Sequence, residues 1–184
     1  MTLALPIAKD VSVAKLSLTV GLAIREALMQ YIPPAQIKCK WPNDVLINNQ
    51  KIAGVLIETE QLGNKIYAII GIGLNIKTHP DLDAAIKATA LVAHTTQQIN
   101  VVDLGREIAR NIMKIMNNQQ IDIREYWLST AYGLNHQVKY QPAYAESYQS
   151  GRFIGIAEDG GCIVSNDQGV EVVYTSSLIF PEGA

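Results

Sequence analysis

The sequence carries little charge, and neither sign is in clear excess. Only 17% of its 184 residues are Asp, Glu, Lys or Arg, and the formal net charge is -2. Nucleic-acid binding usually needs a basic surface, whereas the 15 lysines and arginines are scattered here without a run. We therefore expect no nucleic-acid partner.

Cysteines are few, and long apolar runs are absent. Cys39 and Cys162 are the only cysteines, and their spacing matches neither a metal-binding nor a redox motif, so we expect reduced thiols and no protein-bound metal. No apolar run approaches the ~20 residues of a membrane span. The first residues lack the basic stretch of a signal peptide. These absences predict a soluble, cytoplasmic protein without a membrane partner.

Apolar residues nevertheless make up 48% of the chain, enough for a substantial core. An apolar residue recurs every fourth position after Asp10 and Ser12, either of which can cap a helix. This stripe predicts an amphipathic helix that ends before Pro33-Pro34. Its members are Leu16, Val20, Ile24 and Leu28.

Residues 37–76 predict a meander of about four mostly antiparallel strands, with an Asn48-Asn49-Gln50 turn between two of them. A short strand over Leu3–Ile7 precedes this region. Helices are expected around Ala84–Leu91, over Val102–Met116, and after Asp122, where Glu125 completes a capping-box spacing.

The secondary-structure pattern of the sequence changes after Gly133. Five short β-prone runs follow, separated by turns such as Asp159-Gly160-Gly161. This pattern predicts a small β-barrel of SH3-like size. We therefore expect two domains, 1–133 and 134–184.

The residues with the clearest chemistry lie between Lys40 and Glu58, in the stretch KWPNDVLINNQKIAGVLIE. A lysine at a strand end, fixed by a proline turn, suits a carboxylate or phosphate. Trp41 is expected to be a core or wall residue and not a stacking platform. Asn43 and Asp44 suit a turn-holding role, with a magnesium or ribose contact as the alternative for Asp44.

Glycines inside strands suggest that another group approaches the backbone closely. Gly54 follows Lys51 in the return strand, and either a ligand or a strand crossing would explain it. Gly71 and Gly73 lie two residues apart, and so on one face of a strand. Asn75 continues that face and offers the donor–acceptor pair that matches an adenine edge.

Together, KWPNDVLINNQKIAGVLIE and the GIGLN of residues 71–75 resemble the catalytic core of biotin–[acetyl-CoA carboxylase] ligases. The resemblance extends to the helix that begins near Val11 and to the GRFIGIAEDGG of residues 151–161. It implies an α+β fold, with a class II synthetase-like mixed, mostly antiparallel sheet, helices on one face, and a C-terminal SH3-like barrel.

The resemblance also implies a two-step reaction, in which Mg-ATP activates biotin to biotinyl-5′-AMP and a lysine of the biotin carboxyl carrier protein of acetyl-CoA carboxylase accepts the biotin. Lys40 would bridge the biotin carboxylate and the α-phosphate. Gly71 and Gly73 would accommodate biotin or adenylate against the backbone, Asn75 would read adenine, and Lys51 would lie near the phosphates. Trp41, Asn43, Asp44 and Gly54 complete the expected biotin and adenylate site.

One departure from the family pattern is large. Such ligases carry a GRGRxGRxW-type loop upstream of this region, whereas the first arginine here is Arg25, inside the predicted helix. The sequence also shows no winged helix, which argues against a DNA-binding repressor. We therefore expect an N-terminally truncated ligase with little or no carrier biotinylation as the chain stands.

Two alternatives stay open. The first is a non-catalytic remnant that binds adenylate or dimerises, and the second is a lipoate-type acyl ligase. An exposed sheet edge would favour association into a homodimer.

Overall fold

Five antiparallel strands form the larger of two sheets. The structure is a computed structural model, and it describes residues 1–80, 87–142, 145–174 and 176–181. The strands are β1 (Thr2–Ile7), β2 (Ile37–Lys40), β3 (Asp44–Ile47), β4 (Gln50–Leu62) and β5 (Lys65–Leu74). Their spatial order is β1-β5-β4-β3-β2, which places β1 at one edge.

The hairpin between β3 and β4 follows from its two asparagines. Asn48 and Asn49 have φ angles of 48° and 63°. This left-handed backbone suits tight hairpin turns, and asparagine adopts it more readily than most residues. The predicted turn is confirmed, and Lys51 lies in the return strand β4 as predicted, which extends to Leu62.

The first helix, α1, spans Val13–Leu28 and begins at Ser12, whose hydroxyl accepts a hydrogen bond from the Lys15 amide at 3.3 Å. The predicted apolar stripe is buried, but the burial extends to nearly all sides and includes Ser17 and Thr19. The predicted amphipathic helix is therefore buried over a wider surface than its apolar stripe alone. A helix becomes buried all round when neighbours cover its polar side as well.

Two further helices provide that cover. They are α2 (Val101–Asn117), capped by Asn100, and α3 (Ile123–Leu128), capped by Asp122 as predicted. Both contact α1, which itself contacts β2, β3 and β4. The helices thus lie on one face of the larger sheet. The predicted apolar face of α2 is buried through Leu104, Ile108, Ile112 and Ile115.

The helix expected over Ala84–Leu91 is wrong where it can be checked. Residues 81–86 lie outside the described residues, and residues 87–90 are not helical. The Lys51 amide donates to the Lys87 carbonyl at 2.8 Å, and the Thr89 amide donates to the Lys51 carbonyl at 2.9 Å. These bonds hold the segment extended along the start of β4. A single 3-10 turn, Leu91–Ala93, follows.

The C-terminal part forms a second antiparallel sheet, with strands β6 (Gln137–Tyr140), β7 (Gln149–Ile156), β8 (Cys162–Asn166) and β9 (Gly169–Val173) in sequential order. The fifth expected run, Leu178–Phe180, contributes one bridge, between Ile179 and Lys139. It is therefore not a full strand. The sheet is consistent with the predicted SH3-like domain.

Both sheets share one hydrophobic core that includes α1. Trp127 of α3 meets Phe153 of β7 edge to face, with ring centroids 6.3 Å apart. The boundary between residues 133 and 134 stays a prediction. None of the helices in the described ranges has the length and hydropathy that a bilayer crossing requires.

Candidate functional site

Four predicted site residues form a row across the larger sheet. Lys40 on β2 pairs with Asp44 on β3, which pairs with Gly54 on β4. Gly54 in turn pairs with Gly73 on β5. Directly opposite residues of neighbouring antiparallel strands share a face. The sheet therefore carries a cation, an anion and two bare backbone positions side by side.

An open cavity of about 490 Å³ lies over this part of the sheet. Five predicted site residues line it: Asn43, Lys51, Gly54, Gly71 and Gly73. Sequence reasoning missed the other five lining residues, although the alternation of side chains along β4 and β5 identifies some of them once the register is known. They are Met1, Thr2, Val55, Leu56 and Ile72.

Gly71 and Gly73 make the floor of this cavity flat. A Cβ atom on Gly71 would come no closer than 3.6 Å to another group, the Leu56 carbonyl oxygen. On Gly73 the nearest atom, the Gly54 carbonyl oxygen, would lie at 3.9 Å. Both are ordinary contact distances, so the protein's own packing does not demand glycine here. A ligand lying on the floor would.

Gly54 is small for a different reason. A Cβ atom there would lie 3.3 Å from the Lys51 ammonium and 3.4 Å from Asp44 Oδ1. These two groups form an ion pair at 2.5 Å directly over the glycine. The structure thus gives an explanation that differs from both predicted ones, a ligand or a strand crossing, because Gly54 makes room for the ion pair. Asp44 holds Lys51 at the cavity wall.

Lys40 is the electrostatically unusual member of the row. Its side chain is only 9% exposed, and its ammonium forms no ion pair or hydrogen bond with the residues that the structure describes. Burial lowers the pKa of Lys40, and the Lys51 charge lowers it further, whereas Asp44 raises it. A buried cation without a full counter-charge is stabilised when an anion binds beside it.

Trp41 lies behind the site and not in the cavity. Its indole is 1% exposed, and its Nε1–H donates to the carbonyl oxygen of Gly160 at 3.1 Å. Of the two predicted positions, core or wall, the structure places Trp41 in the core, and a contact of Trp41 with the ligand stays a prediction. The next residue, Pro42, accepts a hydrogen bond from the Ser17 hydroxyl of α1 at 3.1 Å.

Asn43 ties the turn to the neighbouring strand. Its side-chain amide donates to the Val55 carbonyl at 2.6 Å, and its own carbonyl accepts from the Val55 amide at 2.9 Å. The turn-holding interpretation of Asn43 thus agrees with its contacts. It also places the residue at the cavity edge, where it remains a candidate for ligand contact.

The side chain of Asn75 makes contacts within the protein that the sequence did not predict. Its side-chain Nδ2 donates to the Thr89 carbonyl at 3.0 Å and to the Lys51 carbonyl at 3.5 Å. An adenine edge needs a donor and an acceptor from the same amide. The Nδ2 contacts link β4 to residues 87–89, and a contact of Asn75 with adenine stays a prediction.

Comparison with known proteins bears on these observations. The sequence model of the Biotin/lipoate A/B protein ligase family matches residues 3–75. The Biotin–[acetyl-CoA-carboxylase] ligase of Paracoccus denitrificans is 30% identical over 177 residues, which cover 91% of this chain and 73% of that protein. The chain belongs to the biotin protein ligase family. This assignment confirms the family recognised from the sequence, and with it the expectation of a ligase.

A second relative of the biotin protein ligase family is longer. The Bifunctional ligase/repressor BirA of Bacillus subtilis is 27% identical over 151 residues, or 78% of this chain, and the match spans only 46% of that protein. Solved structures share the fold. The apo biotin protein ligase of Aquifex aeolicus superimposes with a TM-score of 0.77 at 22% identity, covering 98% of this chain and 82% of that one.

The same Aquifex aeolicus ligase has also been solved in complex with biotin and ATP, and that structure superimposes with a TM-score of 0.71 at 23% identity over 98% of this chain and 78% of that one. The predicted α+β architecture is confirmed by these likenesses. In the ranges described here, no three His, Cys, Asp or Glu side chains cluster as a metal site would require.

Proposed function

We propose that this biotin protein ligase family member activates biotin with ATP and transfers it to a lysine of a carrier protein. The observation that carries the proposal is the row of Lys40, Asp44, Gly54 and Gly73 beside the open cavity. It supplies a buried cation at one end and bare backbone at the other. A ligand with two anionic groups and a flat body fits that arrangement.

In the proposed first step, an oxygen of the biotin carboxylate attacks the α-phosphorus of ATP. The bond between the α-phosphorus and its bridging oxygen breaks, and pyrophosphate leaves. Two anions must approach each other in this step, and they repel. The Lys40 ammonium between them offsets that repulsion, and its burial strengthens the effect because water screens a buried charge less. Lys51 stands at the cavity wall, where we place the remaining phosphates.

In the second step, the amine of a carrier lysine attacks the biotinyl carbonyl carbon. The bond to the phosphate oxygen breaks, AMP leaves, and the new amide nitrogen loses a proton. The Paracoccus relative's name supports acetyl-CoA carboxylase, through its biotin carboxyl carrier protein, as the acceptor. The open cavity supports this too, because a protein-borne lysine needs access from solvent.

The proposed metal is Mg²⁺, and it enters as part of Mg-ATP. The carboxylate nearest the floor, Asp44, already binds Lys51 at 2.5 Å, and the described residues offer no group of three suitable ligands. Phosphate oxygens of the nucleotide are the natural ligands of this cation. Asp44 therefore keeps its role as the partner of Lys51.

We extend the proposal to assembly and location. β1 is an edge strand with one neighbour in the described sheet, and such an edge can pair with a second copy. A homodimer detected by light scattering would support this, and a monomer at all concentrations would contradict it. Two buried, free cysteines suit the reducing cytoplasm, where ATP is also available.

The first experiment measures ligand choice by calorimetry. The 184-residue chain is titrated with biotinyl-5′-AMP, lipoyl-5′-AMP and AMP alone. We expect biotinyl-5′-AMP to bind best, because the flat glycine floor and Lys40 act on it together. Tighter binding of lipoyl-5′-AMP would favour the lipoate-type alternative, and no binding of either acyl adenylate would contradict the proposal.

Gly71→Val is the matched variant, because it adds a branched side chain to the floor where only open space and Leu56 lie nearby. Affinity for biotinyl-5′-AMP should fall at least tenfold, or about 1.4 kcal/mol. Leu62→Ser is the control, since Leu62 is exposed at the far end of β4 and does not line the cavity. Equal losses in both variants would show that the floor is not the binding surface.

Turnover is measured separately, as biotin-dependent exchange of pyrophosphate into ATP and as biotinylation of a carrier protein. Adenylate binding without either activity would favour the non-catalytic remnant for the chain as it stands. Exchange without carrier labelling would locate the defect in the second step.

A further inference from the structure

We propose that the Asp159-Gly160-Gly161 turn of the C-terminal sheet positions Lys40 for its anionic ligand, acting through Trp41. The inference rests on the proposed function, and it assigns to Asp159, Gly160 and Tyr174 a positioning role at a site whose cavity they do not line. Four sets of contacts carry it.

The turn is fitted tightly against the start of α1. Gly160 has a φ of +95°, and a Cβ atom there would lie 2.5 Å from the Lys15 backbone nitrogen. The Ser12 hydroxyl, which caps α1, also donates to the Asp159 carbonyl at 2.5 Å. One side chain thus fixes both the helix start and the turn. The turn cannot shift without disturbing the cap.

The turn reaches the site through a single buried hydrogen bond. The Gly160 carbonyl accepts from Trp41 Nε1 at 3.1 Å, and both groups are buried. Trp41 directly follows Lys40 in the chain. A buried indole N–H that loses its acceptor is costly, so Trp41 is expected to stay aligned with the turn. The backbone around Lys40 is then aligned as well.

The other supports of this region come from the larger sheet, from α1 and from the residues after α3, where the Cys39 amide donates to the Thr130 carbonyl and the Cys39 carbonyl accepts from the Tyr132 amide. Ser17 donates to the Pro42 carbonyl, and Asn43 exchanges two hydrogen bonds with Val55. These hydrogen bonds of Ser17 and Asn43 hold residues that follow Trp41 in the chain. The Gly160 contact is therefore the support nearest to Lys40 that comes from the second sheet.

A carboxylate holds the shape of the turn. Asp159 Oδ1 accepts from the Gly161 amide at 3.2 Å, and Oδ2 accepts from the Tyr174 hydroxyl at 2.7 Å. The bond to Tyr174 lowers the pKa of Asp159 and raises the pKa of Tyr174, as expected for a phenol that donates to a carboxylate. Tyr174 thus anchors the turn from β9's end.

The test uses Trp41→Phe, which removes the N–H and keeps an aromatic ring, and Tyr174→Phe, which frees the Asp159 carboxylate. Tyr148→Phe is the control, because Tyr148 is exposed and its hydroxyl has no hydrogen-bond partner among the described residues. We expect affinity for biotinyl-5′-AMP to fall about fivefold in Trp41→Phe, about twofold in Tyr174→Phe, and not at all in the control.

A double-mutant cycle separates positioning from general destabilisation. In the Lys40→Met background, Trp41→Phe should change the affinity less than twofold, because the group it positions is gone. A fivefold loss in both backgrounds would overturn the inference and leave Trp41 with a structural role only. Thermal unfolding of all four proteins checks that each is folded.

A second measurement does not depend on the ligand. NMR titration of the Lys40 side chain should show its pKa rising towards the ordinary lysine value in Trp41→Phe, because a loosened turn admits water. An unchanged pKa in that variant would overturn the inference. Should the native chain bind no acyl adenylate, the proposed function fails, and the Lys40 titration still decides the positioning role.

Discussion

The end of β2 and the start of β4 each present a lysine to the same sheet face, yet their surroundings differ. Lys51 lies at the cavity, 34% exposed, with Asp44 as its counter-ion at 2.5 Å. Lys40 is buried beyond Asp44 and has no ion pair among the described residues. An exposed, paired lysine adds a modest attraction for an anion, whereas a buried, unpaired one is stabilised by it.

The largest expected effect comes from removing the charge of Lys40, the buried lysine of the two. Lys40→Met keeps the length of the side chain and removes the charge, so affinity for biotinyl-5′-AMP should fall about a hundredfold, or ~2.7 kcal/mol. The matched Lys51→Met should cost about fivefold, because Lys51 is partly solvated and already paired. Calorimetric titration of both variants checks the ranking. Similar losses would show that the two lysines are equivalent.

A smaller effect is expected from removing the charge of Asp44, which lies between the two lysines. Asp44→Asn removes the charge that raises the pKa of Lys40, so that pKa should fall further, and unfolding should become easier by about 1 kcal/mol. Lys51→Met should shift the pKa of Lys40 upwards, because it removes a like charge. NMR titration measures both shifts. Shifts of the same sign in the two variants would contradict the described row.

The smallest expected effect is a slope of stability with pH. The pKa of Lys40 is lower in the folded chain than its ordinary value of 10.5, so between those two values the unfolded chain binds more protons. The free energy of unfolding contributed by Lys40 therefore rises with pH across this window. At pH values below this window, Lys40 is charged in both states, and the free-energy cost of burying the cation is fully present.

This slope is best measured as a difference between the native chain and Lys40→Met. The raised tyrosine pKa values act in the opposite direction at alkaline pH, but they act in both proteins. Chemical denaturation at several pH values from neutral to about 10 should show the variant more stable at the lower end, with the difference shrinking as pH rises. A constant difference would exclude a titrating Lys40.

Local chemistry made part of the structure predictable. Asn48 and Asn49 tolerate the left-handed backbone that a tight hairpin requires, and Asp122 can cap only the helix that follows it. The apolar face of α2 repeats with the period of a helix. Each of these features depends on neighbours within a few residues, so the sequence alone contains the information.

The features that the sequence did not reveal involve partners that are distant in the chain. Trp41 meets Gly160, 119 residues away, and no local pattern could decide between a core residue and a wall of the site. The Asn75 side chain bonds the carbonyl oxygens of Lys51 and Thr89, and Thr89 is 14 residues away. Residues 87–90 are extended because β4 offers them backbone partners. Propensity gives no account of such tertiary bonds.

The burial of α1 on nearly all sides has a consequence for how the chain opens. This helix contacts the larger sheet, both other helices and the turn between β7 and β8. Opening either sheet would expose one flank of α1 to water and so would cost most of the global unfolding free energy. The amides of α1 should therefore exchange with solvent deuterium only when the whole molecule unfolds.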